Sequence, residues 1–87
     1  MFALGEVVAT RSAVAFAEEH KINLLSYLGR HAAGDDGDLS ADDKRANKEA
    51  LECGNRIFSS YIIDRDKIFI ITEHDRSSTT IMLAEDY

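Results

Sequence analysis

The sequence has no proline, no tryptophan and one cysteine, Cys53, among its 87 residues. A lone cysteine excludes an internal disulfide, and the chain has none of the paired-cysteine spacings of structural zinc modules, so a reducing cytoplasm is the expected setting. No stretch approaches the ~20 apolar residues of a membrane helix. The start, Met1-Phe2-Ala3-Leu4-Gly5-Glu6, carries neither a basic leader nor an apolar signal core, so no membrane association and no secretion are expected. Positive charge is also scarce: 10 Lys and Arg stand against 16 Asp and Glu, a formal net charge of −6. Affinity for a phosphate backbone comes from Lys and Arg displacing condensed counterions, so direct nucleic-acid binding is not expected. An acidic surface of this size suits a basic protein partner instead.

The composition that remains, 45% hydrophobic and 30% charged, is that of an ordinary globular protein. Eighty-seven residues allow one core, so residues 1–87 read as a single domain that folds without a cofactor. The helical part is expected over about 10–54 and a β-meander over about 56–83. Gly5-Glu6-Val7-Val8-Ala9 can form a short strand. Thr10 then offers an N-cap to a helix over Arg11 to His20, with Ala13, Val14 and Ala17 as its apolar stripe. Asn23 caps a second helix, with Ile22 packing back on Tyr27 and with Leu24, Leu25 and Leu28 facing the core. That helix fades through Arg30, His31, Ala32 and Ala33 into Gly34. A third helix runs from Ala41 to Cys53, opened by a Ser40/Asp43 capping box and by the acidic first turn of Asp42 and Asp43; Ala46, Ala50, Leu51 and Cys53 are its apolar side and Gly54 its stop.

From Arg56 the character changes to β-branched and aromatic runs: Ile57 to Ile63, Lys67 to Thr72 and Ser78 to Leu83. Short polar connections at Asp64-Arg65-Asp66 and His74-Asp75-Arg76-Ser77 make the pairing antiparallel. Four apolar residues in a row, Ile68 to Ile71, mark a central strand covered on both faces. The expected fold is α+β: a short N-terminal strand, three short helices, then a three-stranded antiparallel meander with the helices on one face.

Candidate chemistry is thinly spread. Five aspartates between residues 35 and 43 invite a calcium reading, but an EF-hand count from Asp36 puts Ala41 where Gly is needed and Asn47 where the bidentate Glu belongs. His20, His31, His74 and Cys53 have no tight zinc spacing, and Cys53, at the negative end of a helix dipole, reads as a small packing residue. No metal and no cofactor are expected. The densest polar run is the second hairpin, Thr72 to Thr80, whose turn Glu73, Asp75, Arg76 and Ser77 is the candidate binding site. Asp and Ser also suit a turn for purely conformational reasons, and Arg76 can lock it by pairing with Glu73 or Asp75. Arg56-Ile57-Phe58-Ser59-Ser60, followed by Thr72-Glu73-His74 and Thr79-Thr80-Ile81, resembles barnase-like microbial ribonucleases in order and approximate spacing. That resemblance implies His74 as general acid and Arg56 as the group stabilising phosphate charge. The family's general-base Glu, upstream of that Arg, has no clear counterpart here.

A second resemblance covers nearly the whole chain. Leu4-Gly5-Glu6-Val7-Val8-Ala9-Thr10, Arg30-His31, Gly34-Asp35, Gly37-Asp38-Leu39, Asp43-Lys44, Ile70-Ile71-Thr72-Glu73, Asp75-Arg76-Ser77 and Thr79-Thr80 resemble small bacterial plasmid and mobile-element proteins. Members carry labels such as "plasmid-related protein" and "type I restriction endonuclease subunit M". The second label cannot be literal, because 87 residues cannot hold a methyltransferase subunit's cofactor domain. The chain departs from the family pattern at Asp36 and Phe69, where Trp is expected, at His74, where Ala is usual, and at Ala84-Glu85-Asp86-Tyr87, which replaces Pro-Glu-Glu-Tyr. Small size, acidity, the absence of a complete catalytic constellation and this resemblance together point to a noncatalytic accessory protein of a mobile element that binds another protein, with counter-defence, anti-restriction or anti-CRISPR, as one specific form. The alternatives are the ribonuclease using Arg56 and His74, and a self-associating module or homodimer that pairs through an exposed strand edge.

Overall fold

The computed structural model describes residues 3–35, 37–38 and 41–87, with the backbone alone at 51 and 52. The elements run β1 (Glu6–Ala9), α1 (Arg11–His20), α2 (Leu24–Ala32), α3 (Ala41–Cys53), β2 (Ile57–Ile63), β3 (Asp66–Thr72), β4 (Ser78–Leu83) and a closing 3₁₀ turn over Ala84–Asp86. The α+β class, the three helices and the antiparallel β2-β3-β4 meander follow the expected order. The sheet itself differs from expectation. It has four strands in the order β1-β4-β3-β2, and β1 is a full member that runs parallel to β4, so the sheet is mixed.

The parallel pairing has a physical cause in the connections between the two strands. The helices carry the chain from β1 across to β2 at the far edge, and the two hairpins that follow each reverse direction, so β4 runs parallel to β2 and, like it, to β1. Gly5 is essential to the approach: at φ +65° it lets β1 close on the β3–β4 turn, where a Cβ would collide with the Arg76 and Ser77 carbonyls. Glu6 N then donates to Ser77 O at 3.0 Å and Thr10 N to Ile81 O at 2.9 Å.

Alternation along the strands sorts the side chains by face. Ile57, Ser59 and Tyr61 of β2, Ile68, Ile70 and Thr72 of β3, and Thr79, Ile81 and Leu83 of β4 share one face, in register. Ala13 and Phe16 of α1 and Leu28 of α2 pack there with Tyr61, Ile68, Ile70, Ile81 and Leu83 as the core. Two helical stripes are rotated from the expected ones. In α1 the buried set is Ala13, Phe16 and Ala17, while Val14 is exposed, because i, i+3, i+4 spacing from Ala13 selects the large Phe16. In α2 the buried stripe is Leu28, His31 and Ala32, with Leu24 packed against the core; Leu25, one residue off that line, is 70% exposed. Both N-caps form as expected, Thr10 accepting from Ala13 N and Asn23 from Leu25 N. Ser40, half of the expected α3 capping box, lies outside the described residues, as does Asp36 of the calcium count.

The third helix lies beside β2 rather than in the core. Its buried residues include Asn47 and Ala50, while Ala46 and Cys53 are exposed, so Cys53 is not the packing residue expected. Asn47 acts as a surrogate strand: Phe58 N donates to Asn47 Oδ1 at 3.0 Å and Asn47 Nδ2 donates to Phe58 O. Further along, Asp38 N donates to Ser60 O at 2.7 Å, and the Asp38 carboxylate accepts from Ile62 N at 2.8 Å. The outer edge of β2 is thereby closed by α3 and by the loop before it, which satisfies backbone groups that an edge strand otherwise leaves to solvent. That loop is itself tied down. Arg30 Nε donates to Asp35 at 2.7 Å, its guanidinium lies 4.7 Å from the Tyr61 ring centroid, and Tyr61 OH donates to Asp35 O.

Candidate functional site

On the second sheet face, away from α1 and α2, three aromatic rings gather. Phe58 of β2 and Phe69 of β3 are neighbours with centroids 4.7 Å apart, and Tyr87, brought back by the 3₁₀ turn, packs edge-on against both at 5.9 and 5.8 Å. The turn is anchored by Asp86, whose carboxylate accepts from Thr10 Oγ1 at 3.0 Å and from Leu83 N. Tyr87 remains 70% exposed.

Between this cluster and α3 runs an open groove of about 850 Å³. Phe58 and Tyr87 line it on the sheet side, Asp43, Asn47 and Glu49 on the helix side, and Arg56 and His74 at the end nearest the β3–β4 turn. The tertiary structure therefore brings Arg56 and His74 to one groove although 17 positions of sequence separate them. Arg56 Nε faces Glu73 Oε1 at 3.5 Å.

The turn that the sequence singled out is held largely by its own chemistry. Arg76 sits at φ +61°, and its guanidinium donates to four backbone carbonyls: Asn55, Glu73 and His74 through Nη1, Ala50 through Nη2. It ties the C-terminus of α3 to the β3–β4 turn. Asp75 Oδ1 accepts from Ser77 N at 3.0 Å, and hydrogen bonds from Ser77 hold the Asp75 carboxyl below the usual carboxylate range. Of the four candidate residues, Arg76, Asp75 and Ser77 thus shape the turn, and Glu73 faces the groove's Arg56.

A second polar constellation was not singled out from the sequence. His31 is 1% exposed beneath the sheet. Its Nδ1 lies 2.5 Å from Ser59 Oγ and its Nε2 2.8 Å from Thr72 Oγ1; Thr72 Oγ1 lies 2.8 Å from Thr79 Oγ1, which donates to Leu4 O at 2.7 Å. The last bond orients all the others. Thr79 uses its one hydrogen on Leu4, so Thr72 must donate to Thr79, and His31 Nε2–H must donate to Thr72. For the neutral imidazole this leaves Nδ1 as acceptor for the Ser59 hydroxyl. The chain links α2, three strands and the segment before β1, which is a structural task. One signal could have found it: His31 falls seven residues after Leu24 on the buried stripe, and Thr72 and Thr79 alternate with core isoleucines.

The remaining ionisable groups disperse. His20 Nε2 lies 3.4 Å from the Asp64 carboxylate, and among the described residues no three His, Cys, Asp or Glu side chains gather to hold a metal. Among the described residues no helix is long and apolar enough to cross a membrane. Comparison with family models, with curated proteins and with solved structures returned no match.

Proposed function

We propose that this domain is a noncatalytic accessory protein of a mobile genetic element that acts by binding another protein, and that the groove beside α3 is the surface it uses. The carrying observation is the composition of that groove: aromatic rings of Phe58 and Tyr87 on one side, carboxylates of Asp43 and Glu49 on the other. Such a surface suits a basic segment, whose Lys or Arg stems pack on the rings while their charges meet the carboxylates. A net charge of −6 steers a basic partner toward it. Counter-defence, by occupying a basic surface of a restriction or CRISPR enzyme, is one form this binding takes. The test is expression in cells under restriction or CRISPR interference, comparing the protein with a Glu49→Lys/Tyr87→Ala form. Loss of protection in the variant supports the reading. Protection by neither, together with identical captures from host lysate, removes it.

One observation favours a second reading, cleavage of RNA: Arg56 and His74 line the same groove. His74 would protonate the leaving oxygen and Arg56 would stabilise the phosphate charge. The acidic surface works against an RNA substrate. Purified protein and its His74→Ala form are incubated with RNA; equal cleavage, or none, eliminates this reading.

A further inference from the structure

Helix α3 and strand β2 lie side by side in opposite directions. The Asn47 side chain bonds the Phe58 backbone, and one turn further along α3 the Ala50 carbonyl accepts from Asn55 N, so the helix advances as the strand retreats. The groove between them is thereby ruled on one scale. Asp43 comes one turn before Asn47, roughly 6 Å back along the helix axis. Arg56 comes two residues before Phe58, roughly 6.6 Å along the strand in the other sense, and strand alternation brings both to the groove. Carboxylate, aromatic ring and guanidinium therefore follow one another at intervals of roughly 6–7 Å.

The two signs of charge stay apart within this line. Arg56 makes its one ion pair among the described residues with Glu73, through Nε at 3.5 Å, rather than with Glu49 across the groove. Its two Nη nitrogens make no hydrogen bond among the described residues, and Asn55 and His74 line the same end. Acceptors thus stand at one end of the groove, where Asp43 and Glu49 lie on the helix side, and donors at the other. The middle is apolar, formed by Phe58, Tyr87 and Ala46.

An extended polypeptide presents every second side chain on the same face, at the same interval of roughly 6.6 Å. We propose that the segment this groove takes is extended and carries a basic, an apolar and an acidic side chain at alternate positions. The basic side chain meets Asp43 and Glu49, the apolar one rests on Phe58 and Tyr87, and the carboxylate accepts from the Arg56 fork. Arginine suits the first position better than lysine, because its planar guanidinium both stacks on a ring and forks onto a carboxylate. A segment basic throughout sets like charge against Arg56, so the groove selects among basic partners instead of taking any of them. The inference rests on the reading of the groove as a protein-binding surface and specifies what that surface recognises.

The test uses three five-residue peptides with both ends blocked, titrated into the isotope-labelled protein and followed by NMR. They are Arg-Ala-Leu-Ala-Glu, its isomer Arg-Glu-Leu-Ala-Ala, and the basic Arg-Ala-Leu-Ala-Arg. The first two have the same composition and charge, so only the position of the carboxylate differs. Salt of about 0.15 M screens the net charge of the chain beyond ~8 Å. The alternating peptide is expected to bind about three- to fivefold tighter than its isomer, as one exposed ion pair allows, and to shift Phe58 and Tyr87. Arg56→Gln is expected to bring the two isomers level with circular dichroism unchanged. The comparison on the unaltered protein stands however that variant folds. If the basic peptide shifts the groove residues while the isomers bind alike, the alternating pattern is overturned and the basic-segment reading stands. A preference that survives in a folded Arg56→Gln protein also overturns the pattern. If none of the three shifts the groove residues up to ~5 mM, both fall.

Discussion

Replacing Thr72 by valine tests the buried polar chain at its centre. The two side chains have nearly the same shape, so the substitution removes one oxygen without opening a cavity. Thr72 is fully buried and makes two of the chain's bonds, accepting from His31 Nε2–H and donating to Thr79. Valine leaves the imidazole N–H without its threonine acceptor in a site closed to water, a cost of about 1–3 kcal/mol, and forfeits the bond to Thr79, worth about 1 kcal/mol more. The sum is about 2–4 kcal/mol, a large share of the ~5–15 kcal/mol that holds a small domain together. For a domain of this length it lowers the melting temperature by about 10–25 °C. Urea titration and calorimetry read the change. Thr79→Val damages the same chain from its other end, so the double variant loses less than the two single losses summed, with a coupling of about 0.5–3 kcal/mol. The direction of the bonds gives an independent readout: nitrogen NMR of His31 in the neutral state shows the Nε2–H tautomer. A Thr72→Val protein within ~0.5 kcal/mol of the parent, or an Nδ1–H tautomer, refutes the reasoning.

Three further outcomes follow from other contacts. Asn47→Ala removes both bonds to the Phe58 backbone and is expected to cost about 1–3 kcal/mol, read by urea titration, while the Asp38 bonds to Ser60 and Ile62 still close the rest of the β2 edge. Gly37→Ala is expected to destabilise by about 2 kcal/mol or more, read by thermal melting, because at φ +74° the new Cβ meets the Tyr61 ring within 2.6 Å and Ser60 O closer still. The Asp35 carboxyl is held below the ordinary value of 3.8, first by its hydrogen bond from Arg30. A depressed folded pKa stabilises the fold above the unfolded value, and the contribution is lost as pH falls through the folded one. Half the Asp35 side chain is exposed, so screening leaves ~0.5 kcal/mol or less. In Asp35→Asn this slice of the acid-side loss disappears from a stability-against-pH profile.

The elements were legible in the sequence because each is set by local chemistry. Thr10 and Asn23 announce helix starts through their own side-chain oxygens, and the run Ile68 to Ile71 announces a central strand because side chains apolar on both alternating faces need cover above and below, which the middle of a sheet has and an edge lacks. Helix faces were less legible where small residues dilute the pattern. In α1, alanines at 13, 15 and 17 leave several stripes nearly equivalent by hydropathy, and the volume of Phe16 against Ile81 and Leu83 decides among them. In α2 the stripe admits His31 in place of Leu25, which hydropathy alone would not choose, because Ser59 and Thr72 lie opposite and satisfy it.

By itself the sequence determined the class, the order of helices and strands, the meander and the acidic character, all of which follow from residue type, spacing and charge. Only the tertiary structure decided that β1 joins the sheet in parallel, that Asn47 and Asp38 close one edge while β1 leaves the other open, and that Arg56, His74, Phe58 and Tyr87 line one groove. The reason is one of range. A cap, a turn or a hydrophobic period is settled within a few residues, whereas an edge or a groove exists only where segments distant in the chain arrive side by side.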